Sequence, residues 1–70
     1  MKAANSNDFG HVLCVRRRAL NLTQEDVAGV IGVNRRVVSE LERGKGTVRL
    51  EIALELARAL GLDLNLQPRS

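Results

Sequence analysis

Seven basic side chains lie close together in this 70-residue sequence, all of them between positions 16 and 45. They are Arg16, Arg17, Arg18, Arg35, Arg36, Arg43 and Lys45. A guanidinium group donates paired hydrogen bonds to phosphate oxygens or to guanine O6 and N7, so clustered arginines indicate nucleic acid or another anionic surface. The net charge of +3, from 11 basic and 8 acidic residues, is modest. Charge alone therefore leaves open a solvated basic face with no ligand.

Arg35 and Arg36 occupy an unusual position for two cations. Asn34 is a favourable N-cap and Gly44 a favourable helix end, so the residues between them should form a short helix. The positive end of the helix dipole disfavours a cation in the first turn by about 0.3–1 kcal/mol. A polyanion outside the helix would offset this cost, which favours a DNA-binding role.

A helical wheel divides this third helix into two faces. The polar face contains Arg35, Arg36, Ser39, Glu40 and Arg43, and the apolar face contains Val37, Val38 and Leu41. Because the apolar face must pack into the core, the two arginines come to the exposed tip, where a recognition helix contacts bases. Glu40 can accept a hydrogen bond from cytosine N4, or instead pair with Arg36 or Arg43 and orient it.

Capping residues and apolar spacing predict the first and fourth helices. The apolar side of the first contains Phe9, Val12, Leu13, Arg16 and Ala19 or Leu20. This predicts a helix over about 8–20, capped by Ser6 or Asn7 and ended by Asn21, which tolerates left-handed backbone. The fourth, over about 49–60, ends at Gly61 and has the apolar set Leu50, Ala53, Leu54, Leu56, Ala57 and Leu60.

The second helix is short and directly precedes the third. Thr23 followed by Asp26 is a capping-box signature for its start, and Gly32 ends it. Gly29 inside this helix costs about 0.5–1 kcal/mol relative to alanine, which indicates either crowding by another helix or a tolerated weakness. Only Gly32 and Val33 separate the second helix from the N-cap of the third, which is typical of a helix-turn-helix.

The C-terminal segment changes to an alternating pattern. Leu62, Leu64 and Leu66 alternate with polar residues before Pro68, which predicts a β-strand with one apolar face. A lone strand leaves its backbone groups unpaired, so we expect it to pair with its copy in a homodimer and bury the three leucines. Three regions result: a disordered tail at 1–7, a DNA-binding domain at 8–61 and a dimerisation strand at 62–67.

Other chemistry has little support in the sequence. His11 and Cys14 lie three residues apart but have no third partner or oxyanion-hole motif, so an exposed histidine and a small buried or half-buried cysteine are the simpler interpretation. A single cysteine forms no intramolecular disulfide, and metal ligands at suitable spacing are missing. The stretch 44–47 lacks the upstream glycine and strand of a phosphate-binding loop. We therefore expect no enzyme, cofactor, metal site, membrane span or signal peptide.

Residues 9–61 resemble the Cro/repressor-type (XRE-like) helix-turn-helix family. The matching residues are Arg17, Leu22-Thr23-Gln24, Val27-Ala28, Gly32-Val33, Val38-Ser39, Leu41-Glu42-Arg43-Gly44-Lys45 and Ala59-Leu60-Gly61. Asn21 and Val27 depart from the usual glycine and leucine. The resemblance implies an all-α, lambda-repressor-like bundle of four to five short helices, with the C-terminal strand pairing across the homodimer.

The same resemblance implies roles for individual residues. Gln24, Asn34, Arg43 and Lys45 match positions that approach the DNA backbone, and Gln24 sometimes reaches a base. Arg35, Arg36, Ser39 and Glu40 match the base-reading face. Arg17 and Glu42 match an internal ion pair. The expected ligand is a pseudo-palindromic operator in double-stranded DNA, bound by a homodimer.

The C-terminal tail resembles that of HipB-type antitoxins. The resemblance implies a repressor of its own operon that also binds a HipA-like kinase toxin, in a bacterial cytoplasm and on the nucleoid when bound to its operator. A stand-alone phage or operon repressor and a protein-interaction module without DNA binding are the alternatives. Co-purification with a kinase-like partner would favour the antitoxin. Operator binding without a protein partner would favour the stand-alone repressor, and the lack of any sequence-specific DNA binding would favour the interaction module.

Overall fold

The computed structural model of the chain describes residues 4–66 and 68. These residues form four helices: α1 (Ser6–Ala19), α2 (Gln24–Ile31), α3 (Arg35–Glu42) and α4 (Leu50–Ala59), with no β-strand in the same ranges. The predicted all-α fold is confirmed, with four helices where four to five were expected. Residues 1–3 of the expected tail and residue 67 of the expected strand lie outside the described part.

The start of α1 differs from the prediction. The N-cap is Asn5, not Ser6 or Asn7, and its side-chain oxygen accepts a hydrogen bond from the Asp8 backbone N–H at 2.9 Å. The Asp8 carboxylate in turn accepts from the Ala4 N–H at 3.1 Å, which ties the residue before the cap to the first turn of the helix. The predicted end is confirmed, since Asn21 adopts a left-handed φ of 58°.

The caps of the helix-turn-helix follow the predicted chemistry. Thr23 and Asp26 form a reciprocal capping box, with hydrogen bonds of 2.8 and 3.0 Å. Gly32 ends α2 at φ 73°, and the Asn34 side chain accepts from the Arg36 N–H at 2.8 Å to start α3. Arg43 is the C-cap of α3, and Gly44 follows it at φ 86°.

Two glycines show where helices come close together. Gly29 faces open space, so the suggested crowding on α2 is wrong. Gly10 on α1 is the crowded position, because a Cβ there would meet the backbone carbonyl oxygens of Leu41 and Glu42. The bare backbone of α1 therefore lies directly on the last turn of α3.

The core is aliphatic and takes residues from all four helices. Its buried members are Leu13, Val27, Ala28, Val38, Leu41, Ala53, Leu56, Ala57 and Leu60. Helix α3 packs against both α1 and α2, and α2 also packs against α4. Because α3 packs against both α1 and α2, its apolar side is buried in the core and its polar side faces outward.

Residues 62–66 form no strand in the single chain. The Leu62 backbone N–H donates to the Ala57 carbonyl at 2.9 Å, and its side chain packs against the core. Leu64 and Leu66 are 41% and 88% exposed. A strand exists only where a neighbouring strand supplies hydrogen-bond partners, so pairing across a homodimer stays a prediction.

Candidate nucleic-acid interface

The outward side of α3 carries the predicted base-reading residues. Val38 and Leu41 are buried, whereas Arg35, Arg36 and Arg43 are exposed. Ser39 and Glu40 are half-buried along the same polar side, about one turn after the arginines. The amphipathic division expected for this helix is present, and it brings the polar residues together on one accessible surface.

Arg17 and Glu42, the two residues that the resemblance pairs, are in contact inside the protein. Arg17 donates from Nε to Glu42 Oε2 at 2.6 Å and from Nη2 to Oε1 at 3.0 Å, a bidentate arrangement. It also donates from Nη1 to the Leu22 carbonyl at 2.8 Å. Their side chains are only 10% and 5% exposed, so this pair ties α1 to the end of α3 away from solvent.

The contact between Arg17 and Glu42 shifts the pKa of both groups. The hydrogen bond to Glu42 raises the pKa of Arg17 above its ordinary value, although burial acts in the opposite direction. Burial raises the pKa of Glu42, but the hydrogen bonds from Arg17 and Gln24 outweigh it and bring the pKa below its ordinary value. Both groups are therefore charged at neutral pH.

Gln24 connects the buried pair to the surface. Its Nε2 donates to Glu42 Oε1 at 3.1 Å, while its Oε1 accepts from Arg35 Nη1 at 3.0 Å. The first residues of α2 and α3 are thus joined through one amide. Sequence reasoning assigned Gln24 and Arg35 separately to DNA and missed their contact, because it depends on how the two helix starts meet in space.

Glu40 has a different partner from those the sequence suggested. It accepts from Lys45 Nζ at 2.9 Å, rather than from Arg36 or Arg43. The turn at Gly44 explains this, because the Lys45 backbone N–H returns to the Glu40 carbonyl at 3.0 Å and carries the lysine back along α3. The Lys45 hydrogen bond, followed by the fields of Arg36 and Arg43, lowers the pKa of Glu40.

An open groove lies where the N-terminal ends of α2 and α3 meet. Its volume is about 610 Å³, and its lining consists of Arg17, Leu22, Thr23, Gln24, Glu25 and Arg35. Two helix N-termini and the exposed Arg35 offer hydrogen-bond donors to a phosphate, and Glu25 in the same lining adds one negative charge. Asn34 lies at the start of α3 with its oxygen used in capping, which leaves its NH₂ group as a donor.

Arg16 has a structural function that the sequence did not reveal. It lies on the inner side of α1 and donates from Nε to the Leu60 carbonyl at 2.8 Å, satisfying an acceptor at the end of α4. In the sequence, this contact is indicated only by the position of Arg16 among the apolar residues of the first helix. Arg16 is therefore occupied within the fold, whereas Arg18 is exposed.

The lone histidine and cysteine form no site. His11 is exposed and Cys14 half-buried, and the Cys14 sulfur accepts a long hydrogen bond of 3.9 Å from Arg17 Nη2. Within residues 4–66 and 68, no three His, Cys, Asp or Glu side chains cluster as metal ligands would. None of the helices described there is long and apolar enough to cross a membrane.

Known proteins similar to this chain are helix-turn-helix transcriptional regulators. A family model described as "Helix-turn-helix" matches residues 15–67. A protein of Sinorhizobium fredii named "Uncharacterized HTH-type transcriptional regulator y4mF" is 34% identical over 59 residues, covering 84% of this chain and 78% of its own. A regulator of the same type from Methanothermobacter thermautotrophicus is 44% identical over 47 residues, covering 67% of this chain and 68% of its own.

Solved structures share the fold. Those described as "HipB-O4 20mer complex" and "Structure of HipA-HipB-O2-O3 complex" each superpose with a TM-score of 0.89 at 18% identity, covering 100% of this chain and 99% of theirs. The family match spans both helices of the helix-turn-helix and the ion pair that supports it. On these grounds the chain belongs to the helix-turn-helix family of transcriptional regulators, in its XRE-type branch.

Proposed function

We propose that this protein is a sequence-specific transcriptional repressor that inserts α3 into the major groove of DNA. The observation that carries the proposal is the exposed polar side of α3, which begins with Arg35 and Arg36 above a buried apolar side. Each guanidinium can read guanine, and Ser39 and Glu40 follow on the same surface. A good bidentate contact contributes about 1–3 kcal/mol of base discrimination.

Contacts to the DNA backbone supply most of the affinity in this proposal. The groove beside Gln24 and the free NH₂ of Asn34 face one phosphate region, and Arg43 and Lys45 face another at the far end of α3. Lys45 is shared with Glu40, so part of its charge is already neutralised within the protein. Phosphate contacts release counterions, and binding should weaken steeply between about 50 and 200 mM salt.

The binding unit is a homodimer in this proposal. One α3 contacts few base pairs, whereas two copies related by symmetry read two half-sites about one DNA turn apart. Leu64 and Leu66 are exposed in the single chain and Leu62 lies half-buried beside them. Pairing of residues 62–66 with their copy would cover these side chains and satisfy the backbone.

The physiological role proposed is that of a HipB-like antitoxin, which represses its own operon and binds a HipA-like kinase toxin in the bacterial cytoplasm. The shared fold with HipB, seen in complexes with DNA and with HipA, supports this role. The alternative is a stand-alone phage or operon repressor. Two relatives named only as transcriptional regulators support that alternative.

Selection from a random duplex library tests DNA reading, and purification from the native cells tests the partner. Wild-type protein should enrich a pseudo-palindrome, and Arg36→Ala should lose about 1–3 kcal/mol on it with much less loss on random DNA. Arg18→Ala removes the same charge from α1 and should leave the ratio of specific to random binding unchanged. Equal losses for Arg36→Ala on both DNAs would contradict base reading.

The purification separates the two roles. A stoichiometric kinase-like protein that co-elutes at moderate salt supports the antitoxin. Promoter DNA that stays bound in the absence of any protein partner supports the stand-alone repressor.

A further inference from the structure

Glu40 is the only carboxylate on the polar side of α3. The other acid of this helix, Glu42, is turned inward to Arg17 and is 5% exposed, whereas the Glu40 side chain is 22% exposed. Arg36 lies four residues before Glu40 and Arg43 three residues after it, the two spacings at which side chains on a helix surface meet. An acidic group therefore stands between two arginines that the proposed function requires for DNA.

Despite this spacing, the carboxylate is held by Lys45. The lysine Nζ donates to Glu40 Oε2 at 2.9 Å, and among the described residues neither arginine forms an ion pair with Glu40. Both arginines are near enough to lower the pKa of Glu40, although the Lys45 hydrogen bond has the larger effect. The field of Arg36 acts more strongly than that of Arg43, so Arg36 is the first competitor of the lysine.

The end of the helix explains why Lys45 is the partner. The Gly44 N–H donates to the Leu41 carbonyl and the Lys45 N–H to that of Glu40, both at 3.0 Å, with Gly44 at a left-handed φ of 86°. These two bonds form a Schellman motif, in which the side chains at the positions of Glu40 and Lys45 commonly make an apolar contact. Here the same contact is an ion pair. Because the backbone already brings its members together, the pair loses less conformational entropy than one between two freely moving side chains.

We propose that Lys45 is a specificity-determining positioning residue: by occupying the Glu40 carboxylate, it keeps Arg36 available to read a base pair. This inference rests on the proposed DNA-binding function. Without the ammonium group, Glu40 would accept from Arg36, and the arginine would have to leave the carboxylate in order to contact a base. This cost falls only on DNA that carries the base read by Arg36, because on any other base the arginine stays with Glu40. Loss of Lys45 therefore lowers discrimination as well as affinity.

A lysine that only contacts phosphate would behave differently. The phosphate backbone is the same in every sequence, so loss of such a contact weakens all duplexes alike. Arg43 is the matched comparison, because it is exposed at the same end of α3, carries the same charge and, among the described residues, is not paired with Glu40. Removal of Arg43 should show the behaviour of a phosphate contact, and removal of Lys45 should not.

The test is a cycle of Lys45→Met, Glu40→Gln and the double variant, with Arg43→Met as the control. Methionine cannot donate to the carboxylate, but it retains the backbone hydrogen bond of the turn. Glutamine keeps the shape of Glu40 and removes its charge. Arg36→Ala first identifies the base pair that Arg36 reads. Affinities are then measured on the selected operator, on its substitutions at that base pair and on random duplex.

The expected result is local to the base pair read by Arg36. Lys45→Met should lower discrimination there about 2- to 5-fold, the equilibrium factor of one exposed ion pair. The double variant should regain the discrimination of wild type, because the competing carboxylate is gone. Arg43→Met should weaken binding to every duplex and leave discrimination at this base pair unchanged.

Two results on DNA would overturn the inference. If Lys45→Met weakens the operator and its substituted forms equally, Lys45 acts on phosphate alone. If discrimination falls but Glu40→Gln does not restore it in the double variant, the carboxylate is not the competitor. A wild-type protein that enriches no sequence would instead contradict the proposed function itself.

A measurement on the free protein requires no DNA. The ¹⁵N relaxation of the Arg36 Nε–H group should show a mobile side chain in wild type, a restricted one in Lys45→Met and a mobile one again in the double variant. Thermal unfolding of each variant verifies that the fold is retained. Equal mobility of Arg36 in wild type and in Lys45→Met would refute the competition, whatever the DNA affinities are.

Discussion

Two helical glycines should respond in opposite directions to the same substitution. Gly10 on α1 has no room for a methyl group, because a Cβ would collide with the Leu41 carbonyl oxygen and lie 2.8 Å from that of Glu42. Both obstacles are backbone atoms of α3 and cannot rotate away. Gly29 on α2 is exposed, and a Cβ there meets no atom within 4 Å.

The expected magnitudes follow from these surroundings. Overpacking at Gly10 costs about 1–3 kcal/mol, of which the better helix propensity of alanine returns about 0.5–1 kcal/mol. Gly10→Ala should therefore lower the free energy of unfolding by up to about 2.5 kcal/mol. Gly29→Ala gains only the propensity and should raise it by about 0.5–1 kcal/mol. The propensity gain is common to both variants, so they differ by the overpacking cost of about 1–3 kcal/mol, or roughly 4–24 °C in Tm for a domain of this size.

Thermal unfolding followed by circular dichroism measures both variants against wild type at one protein concentration, since dimerisation would make Tm concentration-dependent. Each glycine serves as the matched control for the other. A Gly10→Ala variant as stable as Gly29→Ala would refute the close contact of α1 with the end of α3. A destabilised Gly29→Ala would refute the open surroundings of α2.

Three further perturbations test the charges of α3 and the tail. Arg36→Glu replaces a disfavoured cation by a favoured anion in the first turn, a gain of about 0.6–2 kcal/mol, but it also exchanges attraction to Glu40 for repulsion, a loss of about 0.4–1 kcal/mol. The free protein should therefore gain up to about 1.6 kcal/mol in low-salt melts while operator binding is abolished, and a loss of more than about 0.5 kcal/mol would contradict the dipole argument. The pKa of Glu42 lies below its ordinary 4.5, so its contribution to stability is present above that pH and is lost as the pH falls through the lower folded-state value. Glu42→Gln should consequently show a shallower fall of Tm on acidification than wild type, and identical slopes would exclude this origin. Leu64→Asp should sediment as a monomer whereas Asn65→Asp, with the same added charge on the alternate side, stays dimeric; two dimers of equal strength would rule out strand pairing.

Local chemistry explains what the sequence could predict. The capping box at Thr23, the cap at Asn34 and the left-handed ends at Asn21 and Gly32 each involve residues only a few positions apart, so their types and spacing suffice. The division of α3 into two faces likewise depends only on helical period. The predicted start of α1 was wrong because the three adjacent polar residues 5–7 can all act as N-caps, and their spacing does not distinguish between them.

Contacts between helices are what the sequence could not predict. Gly10 and Gly29 look alike in sequence, and only the approach of α3 distinguishes them. Arg16 reaches Leu60 across 44 positions, and Arg35 reaches Gln24 across 11. Lys45 competes successfully with the nearer arginines for Glu40 only because the turn at Gly44 brings its ammonium back along α3.

Stability alone does not account for the buried Arg17–Glu42 pair. Well-packed apolar residues can replace a buried ion pair with little loss of stability, and sometimes with a gain. Apolar side chains at both positions would nevertheless leave the Leu22 carbonyl and the Gln24 amide without their present partners. Such a variant would also lose the ionised Glu42 carboxylate, which only accepts hydrogen bonds and so fixes the orientation of the Gln24 amide. The pair is therefore best explained as the fixed point from which the outer side chains of α2 and α3 take their orientation.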